Sequence, residues 1–268
     1  MRSLWTAASG MTAQQLNVDT ISNNISNVDT AAYKKERLEF KSLLYQTMER
    51  ASLDDADTGK PVNLQVGLGV RPVAVSRMFM QGSLERTEVP TDLAIQGEGF
   101  FMIKTGEDEV SYTRDGSFKI SLGDGGNNLV TSEGYYVLDI NGEPITIPQN
   151  VAIKDMIISD NGSISYMQNG ELQNLGISIG LVQFANNQGL EAIGGNLYKT
   201  TPASGEPILE SDGEISKSKI SQGSLEQSNV NIAQEMIDLI VAQRAYELNS
   251  KAITTSDEML QQANNLKK

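Results

Sequence analysis

Cysteine and histidine are both absent from the 268 residues. Their absence removes thiol nucleophiles, disulfides, Cys/His zinc sites and every imidazole general base. An enzyme would be left with carboxylates, or with Ser and Lys. Basic charge is scarce as well: 21 Lys and Arg stand against 34 Asp and Glu, a net charge of −13. Such a chain is repelled by nucleic-acid phosphates and anionic lipid heads, and no local Lys/Arg cluster offers an exception. Nucleic acid and membrane surfaces are therefore excluded as partners. Long apolar runs are also missing. Met1 to Met11 lacks the apolar core of a secretory signal, and no window reaches the length of a membrane-spanning helix. Read this way, the chain is soluble and cytoplasmic, with no membrane insertion. With 39% hydrophobic and 21% charged residues it has the composition of a globular protein able to bury a core.

What is present differs between the ends and the middle. From the amino terminus, Leu4, Met11, Val18 and Ile25 recur every seventh residue, with Ala7, Gln14, Ile21 and Val28 at the second seam position. This is the spacing of a helix packed on other helices. Gly10 and the asparagines Asn23, Asn24 and Asn27 weaken its intrinsic helicity, so it needs partners. At the carboxyl end Ile232, Leu239, Tyr246, Ile253 and Leu260 repeat the same spacing, widened by Met236, Ile237, Ile240 and Ala263. Burying those five seam residues is worth roughly 7 to 15 kcal/mol, available only with a partner surface because lone helices are marginal in water. A closed helical bundle within one chain would use the same stripes.

Between the ends, tight-turn dipeptides punctuate short apolar runs: Asp115-Gly116, Asn141-Gly142, Asn161-Gly162, Asn169-Gly170 and Asp212-Gly213. Their density predicts an antiparallel β domain. The segment 45–70 has a polar centre at Asp54, Asp57, Gly59 and Pro61 and reads as an extended arm. The pentapeptide Gln81-Gly82-Ser83-Leu84-Glu85 returns as Gln222-Gly223-Ser224-Leu225-Glu226, which predicts two similar strand ends lying side by side where the chain enters and leaves the β domain.

No sequence pattern for catalysis or cofactor binding is complete. Gly97-Glu98-Gly99 and Gly67-Leu68-Gly69 do not extend to a nucleotide loop. The segments from Asp139 and from Asp160 lack the alternation of a calcium loop and read as hairpin turns. Glu107, Asp108 and Glu109 sit in a polar run where solvated charge is the default. No catalytic residue, cofactor site or metal site is expected.

Several segments together resemble one family. Ser9-Gly10-Met11, then Ile21-Ser22-Asn23-Asn24-Ile25-Ser26-Asn27-Val28 and Ala32-Tyr33-Lys34, resemble the amino-terminal signature of flagellar rod and hook proteins. Thr91 to Phe101 and Tyr112-Thr113-Arg114-Asp115-Gly116-Ser117-Phe118 are similar to its central signatures. Gly223 to Val230 and Gln243-Arg244-Ala245-Tyr246-Glu247 are similar to its carboxyl end. Within the family, the start Met1-Arg2-Ser3-Leu4-Trp5 and the segment 45–70 look like the distal-rod branch, with the proximal rod as the alternative.

The resemblance implies an α+β protein. Its terminal helices, residues 1–30 and 229–268, would pair as a coiled-coil inner domain. Connecting segments 31–80 and 215–228 would carry the arm at 45–70 as a β-hairpin, and 81–214 would form the central antiparallel β domain. It implies a structural, non-enzymatic subunit that self-assembles into a helical tube serving as a drive shaft. Leu4, Met11, Val18, Ile25, Ile232, Leu239, Tyr246, Ile253 and Leu260 would form the assembly seam, and the arm would stiffen the rod. Partners implied are proximal rod proteins, the hook protein, the L- and P-ring proteins and the flagellar export apparatus. The cytoplasmic reading yields to a periplasmic rod exported without a cleavable signal. Two rivals are a peptidoglycan-acting enzyme on a β scaffold, which needs a carboxylate pair across a cleft, and a monomeric adhesin.

Overall fold

The computed structural model describes residues 2–49, 63–106, 109–123, 126–148, 154, 156–168, 171–211 and 217–266. The chain divides into two compact units. Unit 1 takes Met1–Ser26, Glu36–Arg77 and Asn231–Lys268, and unit 2 takes Asn27–Lys35 and Met78–Val230. The backbone therefore passes between the units at 26/27, 35/36, 77/78 and 230/231. Two helices and an antiparallel β body make this an α+β chain, in keeping with the turn density and heptads of the sequence. Neither described helix is long and apolar enough to cross a membrane.

Unit 1 is built on α1 (Arg2–Ser26) and α2 (Ile232–Asn265). The side chain of Asn231 caps α2 by accepting from Gln234 N–H at 3.2 Å, which satisfies one of the orphan donors of the first turn. α1 stops at Ser26, so Val28 does not occupy the helical seam position expected for it. Asn27 takes its place in a turn instead, accepting from Thr30 N–H through its carbonyl and from Thr30 Oγ1 through its side chain. Asparagine competes with the helix in this way because its short amide reaches nearby backbone and turn groups.

The helices run antiparallel. Ser3 meets Ser256 (Oγ to Oγ, 3.5 Å), a Cβ on Gly10 would stand 2.8 Å from Asn249 Nδ2, and Asn24 meets Glu235. Gly10, unfavourable for helix formation, leaves room for the side-chain amide of Asn249 against α1. The β ribbon completes unit 1. Strand β1 (Glu36–Ser42) pairs with β4 (Val70–Arg77), and β2 (Tyr45–Glu49) pairs with β3 (Leu64–Gly67), all antiparallel. Leu43 N–H to Gly69 C=O, 2.9 Å, bridges the two ladders. Asp54, Asp57, Gly59 and Pro61 lie outside the described residues.

Unit 2 holds the main core. Its largest sheet has ten described strands, among them Phe100–Lys104 at the centre and Val110–Thr113 beside it. A three-stranded sheet of Met156–Ile158, Ser163–Gln168 and Glu171–Ser178 adds Met156, Ile158 and Ile164 to the core around Phe101, Ile103 and Phe118. On the other face of the Phe100–Lys104 strand, Phe100 sits edge-on to Phe184 and Tyr198. Unit 1 by contrast buries only Ala7, Ala13, Ile21, Leu38 and Ala242 among its described apolar side chains. That imbalance matters because stability grows with apolar area removed from water.

The repeated pentapeptide does pair with itself. β5 (Leu84–Arg86) lies antiparallel to Ser224–Glu226, with Leu84 opposite Glu226. The two glycines solve different problems. Gly223 has φ +68°, while Gly82 is pressed so closely on Gln227 C=O that a Cβ would overlap it. The two glutamines brace neighbouring backbone: Gln81 donates to Ile95 C=O and Gln222 to Pro90 and Met156 C=O.

Candidate functional site

α2 carries two apolar faces. One contains Glu235, Leu239, Ala242, Tyr246, Asn249, Ile253, Ser256 and Leu260, at alternating steps of four and three. Contacts from Glu235, Asn249 and Ser256 to α1 identify this as the side turned to α1. Leu239, Tyr246, Ile253 and Leu260 of the expected seam therefore lie on the intrachain side, together with the half-buried Leu4, Met11, Val18 and Ile25 of α1. Ile232, at the first turn of α2, is exposed.

Of the second face only Ile237 stood out in the sequence, as part of the widening of the first, and Val241, Leu248 and Met259 carried no signal of their own. Ile237, Val241, Leu248 and Met259 lie far around the helix from the α1-facing side and stand 56%, 62%, 68% and 63% exposed. A helix that is apolar on opposite sides is a buried helix. Within this chain, these four apolar side chains of α2 stand mostly in water.

Unit 1 is close to neutral, with 11 Lys and Arg against 12 Asp and Glu, whereas unit 2 has 10 against 22. Like-charge repulsion thus opposes the approach of two copies far less at unit 1 than at unit 2.

Asn24, read from sequence as a weak helix former, has a specific task. Its amide donates to Glu36 C=O (2.8 Å) and accepts from Glu36 N–H (2.9 Å), so a side chain of α1 imitates a strand partner for the first residue of β1. The same Nδ2 donates to Glu235 Oε2 at 3.1 Å.

A buried ionic junction forms inside unit 2. Glu226, 1% exposed, accepts from Lys34 Nζ (2.6 Å) and Gly82 N–H (2.9 Å) at Oε1, and from Arg114 Nε (2.9 Å) at Oε2. Arg114 donates onward to Gly97 and Gly99 C=O, and Lys34 to Met80 C=O. Asn229 closes the knot, accepting from Lys35 N–H and donating to Met78 and Met80 C=O. Three of the four segments that pass between the units (33–35, 78–82 and 226–229) are bound to one another here. Two cations share one carboxylate out of reach of water. Burial, reinforced by the nearby Arg114 charge, brings the Lys34 pKa down to about 8 despite the opposing pull of Glu226. Sequence reasoning quoted these residues inside motifs but gave them no role.

The glycine pairs serve packing. Gly99 N–H donates to Ser218 Oγ and Gly69 lies against Ser9 of α1. Asp139 spends its carboxylate on the N–H groups of Asn141 and Glu143, a turn rather than a cation loop. Glu210 is buried, but both oxygens are taken, by Gln183 Nε2 and Ser218 N–H. Of the carboxylate run, Glu107 and Asp108 lie outside the described residues, and Glu109 pairs with Lys199 at the surface.

Three family patterns match the chain. Residues 4–34 match the flagella basal body rod protein family, residues 94–166 the flagellar hook protein FlgE/F/G D1 domain, and residues 221–266 the flagellar basal body rod FlgEFG protein C-terminal family. Each matched segment supplies one charge of the buried junction: Lys34, Arg114 and Glu226. Among curated proteins, the flagellar basal-body rod protein FlgG of Borreliella burgdorferi is 48% identical over 100% of this chain and 99% of its own length. The FlgG proteins of Caulobacter vibrioides and Bacillus subtilis are 46% and 40% identical, each over 100% of both chains.

Proposed function

The chain belongs to the family of FlgG flagellar basal-body rod proteins, and from that premise we propose how its two candidate surfaces build and hold a rod. The protein is a structural subunit of the flagellar basal body, self-assembling into the distal rod that transmits torque to the hook, with other rod and hook components as neighbours. The observation that carries the residue-level reading is the second apolar face of α2. Leu4, Met11, Val18, Ile25, Leu239, Tyr246, Ile253 and Leu260 hold α1 and α2 as a coiled-coil inner domain and touch neighbours along their half-open edges. Ile237, Val241, Leu248 and Met259, joined by Ile232, then carry the contact between subunits. Burying the four fully would contribute roughly 6 to 12 kcal/mol per subunit, enough to drive a non-closing helical array. The acidic charge of unit 2 keeps finished rods apart.

The junction around Glu226 binds the segments 33–35, 78–82 and 226–229 to one another inside unit 2, which holds the β body together under load. The arm at 45–70, whose centre around Asp54, Asp57, Gly59 and Pro61 lies outside the described residues, meets a neighbouring subunit and stiffens the rod. The rod stands in the periplasm, reached through the flagellar export apparatus, and meets proximal rod proteins, the hook protein and the L- and P-ring proteins.

The test is Val241→Asp with Leu248→Asp. Both sites are exposed in the monomer, so its thermal unfolding should not change, while each charge costs several kcal/mol in a dry contact. Basal bodies from cells making the variant should lack distal rods in electron micrographs. Normal rods would show that this face does not carry the assembly.

A further inference from the structure

Trp5 is the chain's single tryptophan, and it stands 78% exposed in the second turn of α1. Tryptophan contributes the largest contact area of any side chain and is the residue most enriched at interface hot spots. An isolated indole in water therefore calls for an account. The same unit carries a groove of about 380 Å³ between the helices. Val18 and Tyr246 supply its apolar lining, and Gln15, Gln243 and Glu247 its polar part. We propose that Trp5 of one subunit inserts into the groove at Val18 and Tyr246 of the next, a knob and hole that set the stagger between neighbours in the rod. The inference rests on the assembly reading and names the specific contact within it.

Three observations support a second copy as the occupant. Charge is complementary: Arg2 lies one turn before Trp5, where residues i and i+3 share a helix face, and the exposed Asp19 lies one helical turn from Gln15 of the groove, whose Glu247 is already paired with Arg244. The size is right for a hot spot and too small for a dimer. One indole buries at most about 250 Å², against about 800 Å² per partner in a stable pair, so the contact acts only together with the second face of α2. The geometry favours propagation. Trp5 lies on the side of α1 away from α2, while the groove opens at the α1–α2 boundary, ten to thirteen residues or about 15 to 20 Å further along the helix. A patch and a pocket that point in different directions join copies head to tail rather than closing a two-fold pair.

Because Trp5 is the only indole, its emission reports the contact directly. Full-length protein is concentrated stepwise, with assembly followed by sedimentation and Trp5 by emission and acrylamide quenching. Wild type should shift to the blue and lose quenching in step with polymer formation. Trp5→Ala should raise the threshold concentration roughly thirtyfold, the equivalent of a hot-spot loss of about 2 kcal/mol. Gln15→Arg with Gln243→Arg, both exposed sites at the groove, should do the same by obstructing it and repelling Arg2. Adding Arg2→Glu to that variant should restore most of the loss. Polymer in which Trp5 stays fully quenchable, or an unchanged threshold for Trp5→Ala, overturns the knob and hole and leaves the assembly reading standing. A wild type that stays monomeric at every concentration overturns both, and a closed dimer overturns the head-to-tail geometry.

Discussion

Replacing Glu226 with Gln keeps its shape and removes its charge, leaving Lys34 and Arg114 buried with no anion between them. Removing one member of a buried ion pair costs about 3 to 5 kcal/mol, and the single exchange here strands two cations. At pH 7 the Glu226→Gln protein should therefore lose at least about 3 kcal/mol of unit 2 stability. Lys34 provides a way to check the cause. Its folded pKa is lowered by burial to about 8, below the ordinary lysine value of 10.5. Between those values the unfolded chain binds the extra proton, so wild-type stability should rise with pH across that window, by up to about 3 kcal/mol. Below pH 8 both states hold the proton and the burial penalty stays in place. In Glu226→Gln the lysine loses the partner that favours its charge, so its pKa falls further, and the damage measured at pH 9.5 should be smaller than at pH 7. Lys34→Met leaves the Arg114–Glu226 pair intact. It should cost only about 1 to 2 kcal/mol for the lost hydrogen bonds and should flatten the alkaline rise. Urea unfolding followed by near-ultraviolet circular dichroism at the two pH values reads all of this. A Glu226→Gln loss under about 1 kcal/mol at pH 7, or one independent of pH, would refute the idea of an under-compensated buried cluster.

Three further outcomes follow from the packing. Gly82→Ala would drive a Cβ into Gln227 C=O, and backbone cannot yield as a side chain can, so unit 2 should lose at least about 2 kcal/mol; an unchanged denaturation midpoint would contradict the close approach. Asn24→Ala should cost about 1 to 3 kcal/mol by orphaning both backbone groups of Glu36, with the Glu36 amide exchanging faster while Lys35, held by Asn229, does not. Gly10→Ala meets only the mobile end of Asn249 and gains up to about 1 kcal/mol of helix propensity, so it should be nearly neutral in melting, whereas Gly10→Val should separate the helices and lower their ellipticity.

Local periodicity made much of the architecture readable in advance. Seven-residue spacing marked both helices, and turn dipeptides marked the β body, because each signal lies within one element. Recurrence of Gln-Gly-Ser-Leu-Glu marked two segments that pair, since alike strand ends can satisfy alike surroundings. Other features were closed to sequence reasoning. α2 presents two apolar stripes of the same residue types, and only the approach of α1, fixed by Asn24 and Glu235, decides which of them is covered. The ionic junction joins residues 112 and 192 positions apart, and nothing in local composition distinguishes Glu226 from a surface glutamate such as Glu85, its counterpart in the repeat. Sequence by itself determined the elements and the family. Tertiary structure decided which faces stay open and which charges lose their water, because burial depends on what the chain brings from far away.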